Sequence, residues 1–341
     1  MKVLTYTPAF LPQVGGLEIN AAHLATQLSR HGLEVVVVTR TASDQPDSGP
    51  YRVVRDPSPW ELLRWTRWCD VFLQHNVSLR GLWPLLLVRR PWVASHHSWY
   101  CRSDGRVAWQ DRLKRRLLRH AAASIAISRA VADDLDTPSV VIPNTYRDHL
   151  FRVLPGVARE RDLAFLGRLV SDKGLDLLID ALGLLAAKGL RPKLAVIGEG
   201  PERPRIEERA RQLGVAAQVE LMGVRQGEEL ARLLNEHRVL VVPSRYREPF
   251  GIVALEGIAC GCLVVGSEGG GLKDAIGPCG LTFPNGDAAA LAAALERALS
   301  DPELARTLRR GAAEHLAAHG TEAIALAYLR ELERAAGGVR S

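Results

Sequence analysis

Short runs of aliphatic and β-branched residues alternate along the chain with stretches whose apolar positions recur every three or four residues. In the first half, residues 2–6, 34–38, 70–74, 92–95, 124–127 and 140–142 read as strands, and residues 17–30, 106–119 and 128–135 as helices. Strands separated by helices line up in parallel, with helices covering both faces of the sheet. Residues 154–161 are polar with a Pro155-Gly156 break and read as a linker. The pattern then restarts, with strands at 162–166, 193–197, 219–221, 239–242 and 263–266 and helices at 173–187, 203–213, 228–235, 252–260 and 288–299. The expectation is two doubly wound α/β domains, residues 1–155 and 156–320. Residues 321–336 form an amphipathic helix with no strand after it, and the block 321–338 is expected to cross back to the first domain.

Length agrees, since 341 residues fit two domains of about 150 each. At 47% hydrophobic and 24% charged the composition is that of a globular protein, which excludes disordered and low-complexity scaffolds. The longest apolar runs, such as residues 82–88, fall far short of the roughly 20 residues of a membrane-spanning helix. Met1-Lys2 leads straight into the first strand, too early for a signal-peptide core, so a cytoplasmic location is expected. Cys69, Cys101, Cys260, Cys262 and Cys279 are odd in number, and Cys260 and Cys262 have no second pair or histidines at zinc spacing. They read as small buried residues, with no metal and no other cofactor expected.

Charge changes the picture more. Residues 1–160 hold 21 Lys and Arg against 14 Asp and Glu, whereas residues 161–341 hold 23 against 24. All seven tryptophans (Trp60, Trp65, Trp68, Trp83, Trp92, Trp99 and Trp109) also lie in the first third. The two halves are built for different partners.

In open α/β sheets ligands bind beyond the carboxyl ends of the strands, so the chemistry is sought in the loops that follow them. Arg245-Tyr246-Arg247-Glu248-Pro249-Phe250-Gly251-Ile252-Val253-Ala254-Leu255-Glu256 follows the strand at 239–242. Pro249 and Gly251 favour a loop that ends in a helix start, whose free N–H groups and positive dipole end suit phosphate. Glu248 in the loop and Glu256 one turn into the helix suit sugar hydroxyls, which together describes a nucleotide sugar. Gly167-Arg168-Leu169-Val170-Ser171-Asp172-Lys173-Gly174 sets Arg168 and Lys173 after the strand at 162–166, two cations able to neutralise a diphosphate without metal. In the first domain, Phe10-Leu11-Pro12-Gln13-Val14-Gly15-Gly16-Leu17-Glu18 opens a helix on paired glycines and offers backbone amides.

These motifs, with Ile142-Pro143-Asn144 and Val196-Ile197-Gly198-Glu199-Gly200-Pro201, make the chain resemble the GT-B retaining glycosyltransferases of family 4 over nearly its whole length. The resemblance implies two Rossmann-like domains facing across a cleft, the second holding a nucleotide-sugar donor of UDP, GDP or ADP type and the first an acceptor. That acceptor is a glycan, a lipid-linked molecule or a small molecule. It further implies that Arg168 and Lys173 bind the diphosphate, Glu256 the ribose and Glu248 the donor sugar. Backbone at Phe250, Gly251, Ile252 and Val253 meets sugar and phosphate, Gly15, Gly16 and Gly198 lend amides, and Met222 and Val224 line the base. The family's histidine near the transferring sugar falls in Trp92-Val93-Ala94-Ser95-His96-His97-Ser98, where spacing from Pro91 favours His97, with His96 as its competitor. Ser98 stands where the family commonly has Asp. His96, Trp99 and Trp109 are acceptor-side candidates.

Rival readings are a sugar-nucleotide epimerase of the same architecture and, from a different class, a nucleic-acid-binding protein, for which no recognition motif is present. A nicotinamide dehydrogenase fingerprint at Gly198-Glu199-Gly200 lacks its third glycine, having Arg203 there. Asp134-Leu135-Asp136, the single Asp-x-Asp, closes a predicted helix and reads as a polar terminus rather than a metal site. In residues 106–119, Trp109, Leu113 and Leu117 recur at four-residue spacing between cations. That pattern fits either a core-facing helix with a basic back or a peripheral contact with an anionic membrane.

Overall fold

The computed structural model describes residues 1–13, 15–47, 49–101 and 106–338. It divides into two units, Met1–Thr145 with Thr321–Ser341, and Tyr146–Gly320. Among the described residues the first unit holds strands β1 (Lys2–Thr7), β2 (Glu34–Thr39), β3 (Arg52–Arg55), β4 (Val71–His75), β5 (Trp92–His96), β6 (Ala123–Ala126) and β7 (Val140–Val141). All pair in parallel, in the order β3-β2-β1-β4-β5-β6-β7. Alternate side chains feed two cores, because successive residues of a strand point to opposite faces. Val3, Val37, Leu73 and Val93 face helix Gly16–Arg30 and Ile324, Tyr328 and Leu332 of helix Thr321–Gly337. Leu4, Val36, Phe72 and Trp92 face Leu62, Trp65 and Leu118 on the other side.

The second unit holds β8 (Arg161–Leu166), β9 (Leu194–Ile197), β10 (Val219–Gly223), β11 (His237–Val242), β12 (Leu263–Ser267) and β13 (Gly280–Phe283), again parallel, in the order β10-β9-β8-β11-β12-β13. Strand order reverses between β1 and β4 in the first sheet and between β8 and β11 in the second. Each reversal leaves a crevice at the carboxyl edge, where flanking helices diverge to opposite faces.

The boundary falls at Thr145 and Tyr146, not at the expected residues 155 and 156. Phe151 is fully buried, the Leu154 amide donates to Asn235 Oδ1 at 2.8 Å, and Asn235 Nδ2 donates to the Arg152 carbonyl at 2.9 Å. The segment before the Pro-Gly break is therefore packed into the second unit, and Gly156 makes a surface turn within it. Other elements differ from expectation for local reasons. The helix expected at 106–119 spans Trp109–Leu117 and tightens to a 3-10 turn at Leu118–His120, and that expected at 128–135 spans only Arg129–Asp133. Helix Pro59–Trp68 was not expected, although Ser58 and Glu61 form a reciprocal capping box at its start. Asp134 of the Asp-x-Asp accepts from Arg115 Nη2 at 2.6 Å, a structural ion pair. All five cysteines are free thiols.

Helix Thr321–Gly337 is integral to the first sheet, since Tyr328 is 1% exposed and its hydroxyl lies 2.7 Å from Ser95 Oγ. Tyr328→Ala should lower unfolding stability by about 3–5 kcal/mol, whereas Tyr328→Phe, keeping the ring, should lose about 1 kcal/mol. Urea midpoints of the two variants check this, and equal midpoints would contradict the packing.

Candidate active site

The residues singled out in the second half converge on the carboxyl edge of the second sheet. Arg168 and Lys173 follow β8, Gly198 follows β9, Met222 and Val224 lie at the end of β10, and Glu248 follows β11. The loops after β8 and β11 thus flank the point where strand order reverses. Lys173 closes a 3-10 turn, Ser171–Lys173, and precedes helix Leu175–Ala187 instead of starting it. Its Nζ donates to Glu248 Oε1 at 2.5 Å, and Ser244 Oγ donates to the same oxygen at 2.7 Å. Arg168 is exposed and makes no ion pair among the described residues.

Backbone contacts fix these loops. Gly270, with φ 81°, brings its Cα so close to Glu248 that a Cβ there would sit 2.2 Å from the Glu248 carbonyl, which accepts from the Gly271 amide at 2.7 Å. Gly198, with φ 144°, lies equally close to the Gly167 carbonyl, at 1.9 Å from a hypothetical Cβ. Either contact excludes any larger residue. The Arg245 amide donates to the Asp172 carbonyl at 2.9 Å, and Asn285 Nδ2 donates to the Ser244 carbonyl at 3.0 Å.

Gly251, left-handed at φ 117°, leads into helix Ile252–Ala259. Phe250 is 2% exposed and its ring lies 5.9 Å from His319, so only its backbone can meet a ligand. Ile252 and Val253 are half-buried at the helix start. Glu256 is buried, and Arg147 Nη2 donates to its Oε1 at 3.1 Å. Burial raises the Glu256 pKa against the pull of that guanidinium. The ladder between β9 and β10 slips between Leu221 and Gly223, turning Met222 out of register, and Val224 beyond it is exposed.

A second constellation lies at the carboxyl edge of the first sheet. His97 follows β5 and is 8% exposed, its Nε2 lying 3.0 Å from His75 Nδ1 and 2.9 Å from Ser95 Oγ. Its backbone amide donates to Asn76 Oδ1 at 2.8 Å. Asn144 reaches the His97 side chain and accepts from Asn20 of helix Gly16–Arg30, which Gly15 and Gly16 open. Val14, in the same loop, lies outside the described residues. His96 points to the opposite face, where its Nδ1 lies 2.7 Å from the Tyr100 hydroxyl and its Nε2 3.0 Å from Ser124 Oγ. Fully buried and satisfied at both nitrogens, His96 is a core residue and not an acceptor contact. Trp99 is half-buried and Trp109 is 68% exposed.

The sequence model of Glycosyltransferase Family 4 matches residues 14–147, and that of Glycosyl transferases group 1 matches residues 147–315. A D-inositol 3-phosphate glycosyltransferase of Frankia alni is 30% identical, with 94% of this chain and 95% of the relative covered. A 2-deoxystreptamine N-acetyl-D-glucosaminyltransferase of Streptomyces fradiae is 28% identical, covering 98% and 95%. Among solved structures, Anabaena HepE in complex with UDP-glucose superposes with a TM-score of 0.80 at 20% identity, covering 98% of this chain and 99% of the other. The chain belongs to the GT-B glycosyltransferases of family 4, group 1.

In this glycosyltransferase, sequence reasoning missed His75, Arg147 and Tyr328. His75 ends a strand that reads as an apolar run, and no local signal pairs it with His97, 22 positions away. Arg147 sits three residues beyond the Ile142-Pro143-Asn144 motif, a stretch without periodicity. Among the described residues no group of three or more His, Cys, Asp or Glu is placed to hold a metal ion, and no helix is long and apolar enough to cross a membrane.

Burial holds the pKa of His97 down at about 4, the Asn144 side chain opposing, and that of His96 at about 3. Burial and then the neighbouring His97 push His75 well below its ordinary 6.5. All three are therefore neutral at pH 7. Their pKa values are depressed on folding, so the unfolded chain takes up protons first as pH falls. The stability they contribute is complete above about 6.5 and is lost progressively as pH falls through the folded-state values, about 4 for His97 and about 3 for His96. Urea midpoints should fall across that window, and His97→Asn should flatten the fall. A midpoint independent of pH there would show these rings to be solvated.

Proposed function

We propose that this glycosyltransferase moves a hexose-type sugar from a nucleoside-diphosphate sugar to an acceptor hydroxyl with retention of configuration and without a metal. The observation that carries the reading is the convergence of Arg168, Lys173, Glu248 and Glu256 on the strand-order reversal of the second sheet, around the start of helix Ile252–Ala259. In this reading Arg168, Lys173 and the amides at the helix start hold the diphosphate. Glu248, steadied by Lys173 and Ser244, accepts from hydroxyls of the sugar, and Glu256, turned by Arg147, accepts from the ribose. Met222 and Val224 bound the base. The UDP-glucose held by Anabaena HepE supports a donor of this class, with GDP and ADP as the other nucleotides to be tested. The relatives named for D-inositol 3-phosphate and 2-deoxystreptamine support a small hydroxylated acceptor, beside a glycan or lipid-linked one.

The acceptor oxygen attacks the anomeric carbon from the leaving group's own face. The bond from that carbon to the diphosphate oxygen breaks, the bond to the acceptor forms, and the acceptor's proton passes to the departing phosphate. No carboxylate serves as nucleophile, unlike a retaining glycosidase. Charge growing on the diphosphate is met by cations already in place, the preorganised electrostatics that dominates many enzymes. His97, in the first unit, is neutral, which suits a hydrogen bond to a sugar hydroxyl better than attraction of a phosphate.

Arg168→Ala should lower turnover by at least about a hundredfold with unchanged circular dichroism. NMR of the product from an α-linked donor should show an α linkage. Near-wild-type turnover in the variant, or a β linkage, would overturn the reading.

A further inference from the structure

A groove on the first unit is unrelated to the loops described so far. It runs between residues 79–92 and helix Trp109–Leu117, encloses about 690 Å³, and is lined by Leu82, Trp83, Leu85, Trp92, Leu113 and Leu117 among others. Trp92 begins β5, whereas His97 follows the other end of that strand, so an occupant of the groove is not the reacting end of an acceptor. Large apolar side chains stand in solvent beside it. Leu86 is 85% exposed, Leu87 67% and Trp109 68%.

The same two segments are strongly basic. Residues 79–92 and 109–120 hold eight Arg and Lys and one acid, Asp111, which Lys114 Nζ binds at 2.9 Å. Arg89, Arg112 and Arg116 are exposed and have no carboxylate partner among the described residues. The core of a protein interface is depleted of charge, and a nucleic-acid surface does not need exposed leucines around an apolar slot. Bare leucines and a tryptophan set among unpaired arginines, over a cavity wide enough for a hydrocarbon chain, fit an anionic bilayer surface.

We propose that this groove is a membrane-docking site: one acyl chain of an anionic lipid enters between residues 79–92 and helix Trp109–Leu117, while Arg89, Arg112 and Arg116 lie on the headgroups. The site is independent of the donor reading, since it shares no residue with it. Docking would hold the first unit at the surface of an acidic membrane.

The test is flotation of the full chain with vesicles of phosphatidylcholine alone or mixed with phosphatidylglycerol, beside Leu86→Glu/Leu87→Glu and Arg112→Glu/Arg116→Glu variants. All four positions are exposed, so folding is unaffected, which a thermal midpoint verifies. Phosphatidylglycerol should raise bound protein at least tenfold. Each double variant should remove at least tenfold, about fivefold for each arginine lost near an anionic surface. Phosphatidylglycerol brominated along its chains should quench tryptophan fluorescence in a Trp109→Phe variant, because Trp83 and Trp92 line the groove. Equal binding to both vesicle types, binding unchanged by Leu86→Glu/Leu87→Glu, absence of quenching, or tighter binding to an RNA oligomer than to vesicles would each overturn the proposal.

Discussion

The carboxylate of Glu248 is where it is because Gly270 has no side chain. Any Cβ at that position would meet the Glu248 carbonyl at 2.2 Å, so the loop after β12 can close on the loop after β11 only through glycine. The Gly271 amide then ties the Glu248 carbonyl, and Lys173 and Ser244 bind one carboxylate oxygen. Gly198 and Gly167 make the same kind of contact between the loops after β9 and β8. Loops are ordinarily the mobile part of a doubly wound fold. Here they touch backbone to backbone, so the Lys173 ammonium, the Glu248 carboxylate and a helix start are held in place, while the exposed Arg168 side chain extends from the same loop. Preorganisation of that kind lowers the free energy spent on ordering groups during binding and catalysis.

The first sheet reaches a fixed geometry by another route, a buried hydrogen-bonded chain. Tyr328 contacts Ser95, Ser95 contacts His97, and His97 contacts His75, all at 2.7–3.0 Å. Strand alternation decides which histidine takes part. Ser95 and His97 share a face with the C-terminal helix, while His96 turns to Tyr100 and Ser124. Through Tyr328 the helix Thr321–Gly337 thereby joins the hydrogen-bonded chain that ends on His97 and His75. Low pKa values keep these rings uncharged, which suits hydrogen bonding to a sugar better than attraction of a phosphate.

Fold class was legible in the sequence because parallel strands buried on both faces leave apolar runs, such as Glu34–Thr39, between amphipathic helices. What escaped was short or set by partners far away. Arg52–Arg55 is a four-residue edge strand with an arginine at each end, and Gly280–Phe283 has little apolar pattern. The domain boundary was misplaced because Pro155-Gly156 announces a turn but carries no information about what Phe151 and Leu154 pack against. The motif residues of the candidate site could be placed at the carboxyl edge of the sheet from the sequence, since a loop after a strand places them by topology alone. Arg147 and His75 were not, since each is defined by a contact across many positions, to Glu256 and to His97. Exposure was equally hidden. Four-residue spacing of Trp109, Leu113 and Leu117 fits a buried face, yet Trp109 stands in solvent and only Leu117 is packed against the core.

The central claim is that the second unit's loops form a ready-made receptor for a nucleoside diphosphate. Thermal unfolding in the presence of chelator, with UDP, GDP and ADP each compared with its nucleoside, tests it most directly. A ligand that binds only the folded state adds about 2.7 kcal/mol of stability at a hundred times its Kd. The account predicts that at least one diphosphate raises the midpoint while its nucleoside leaves it nearly unchanged. Midpoints that no diphosphate moves further than its nucleoside would contradict it.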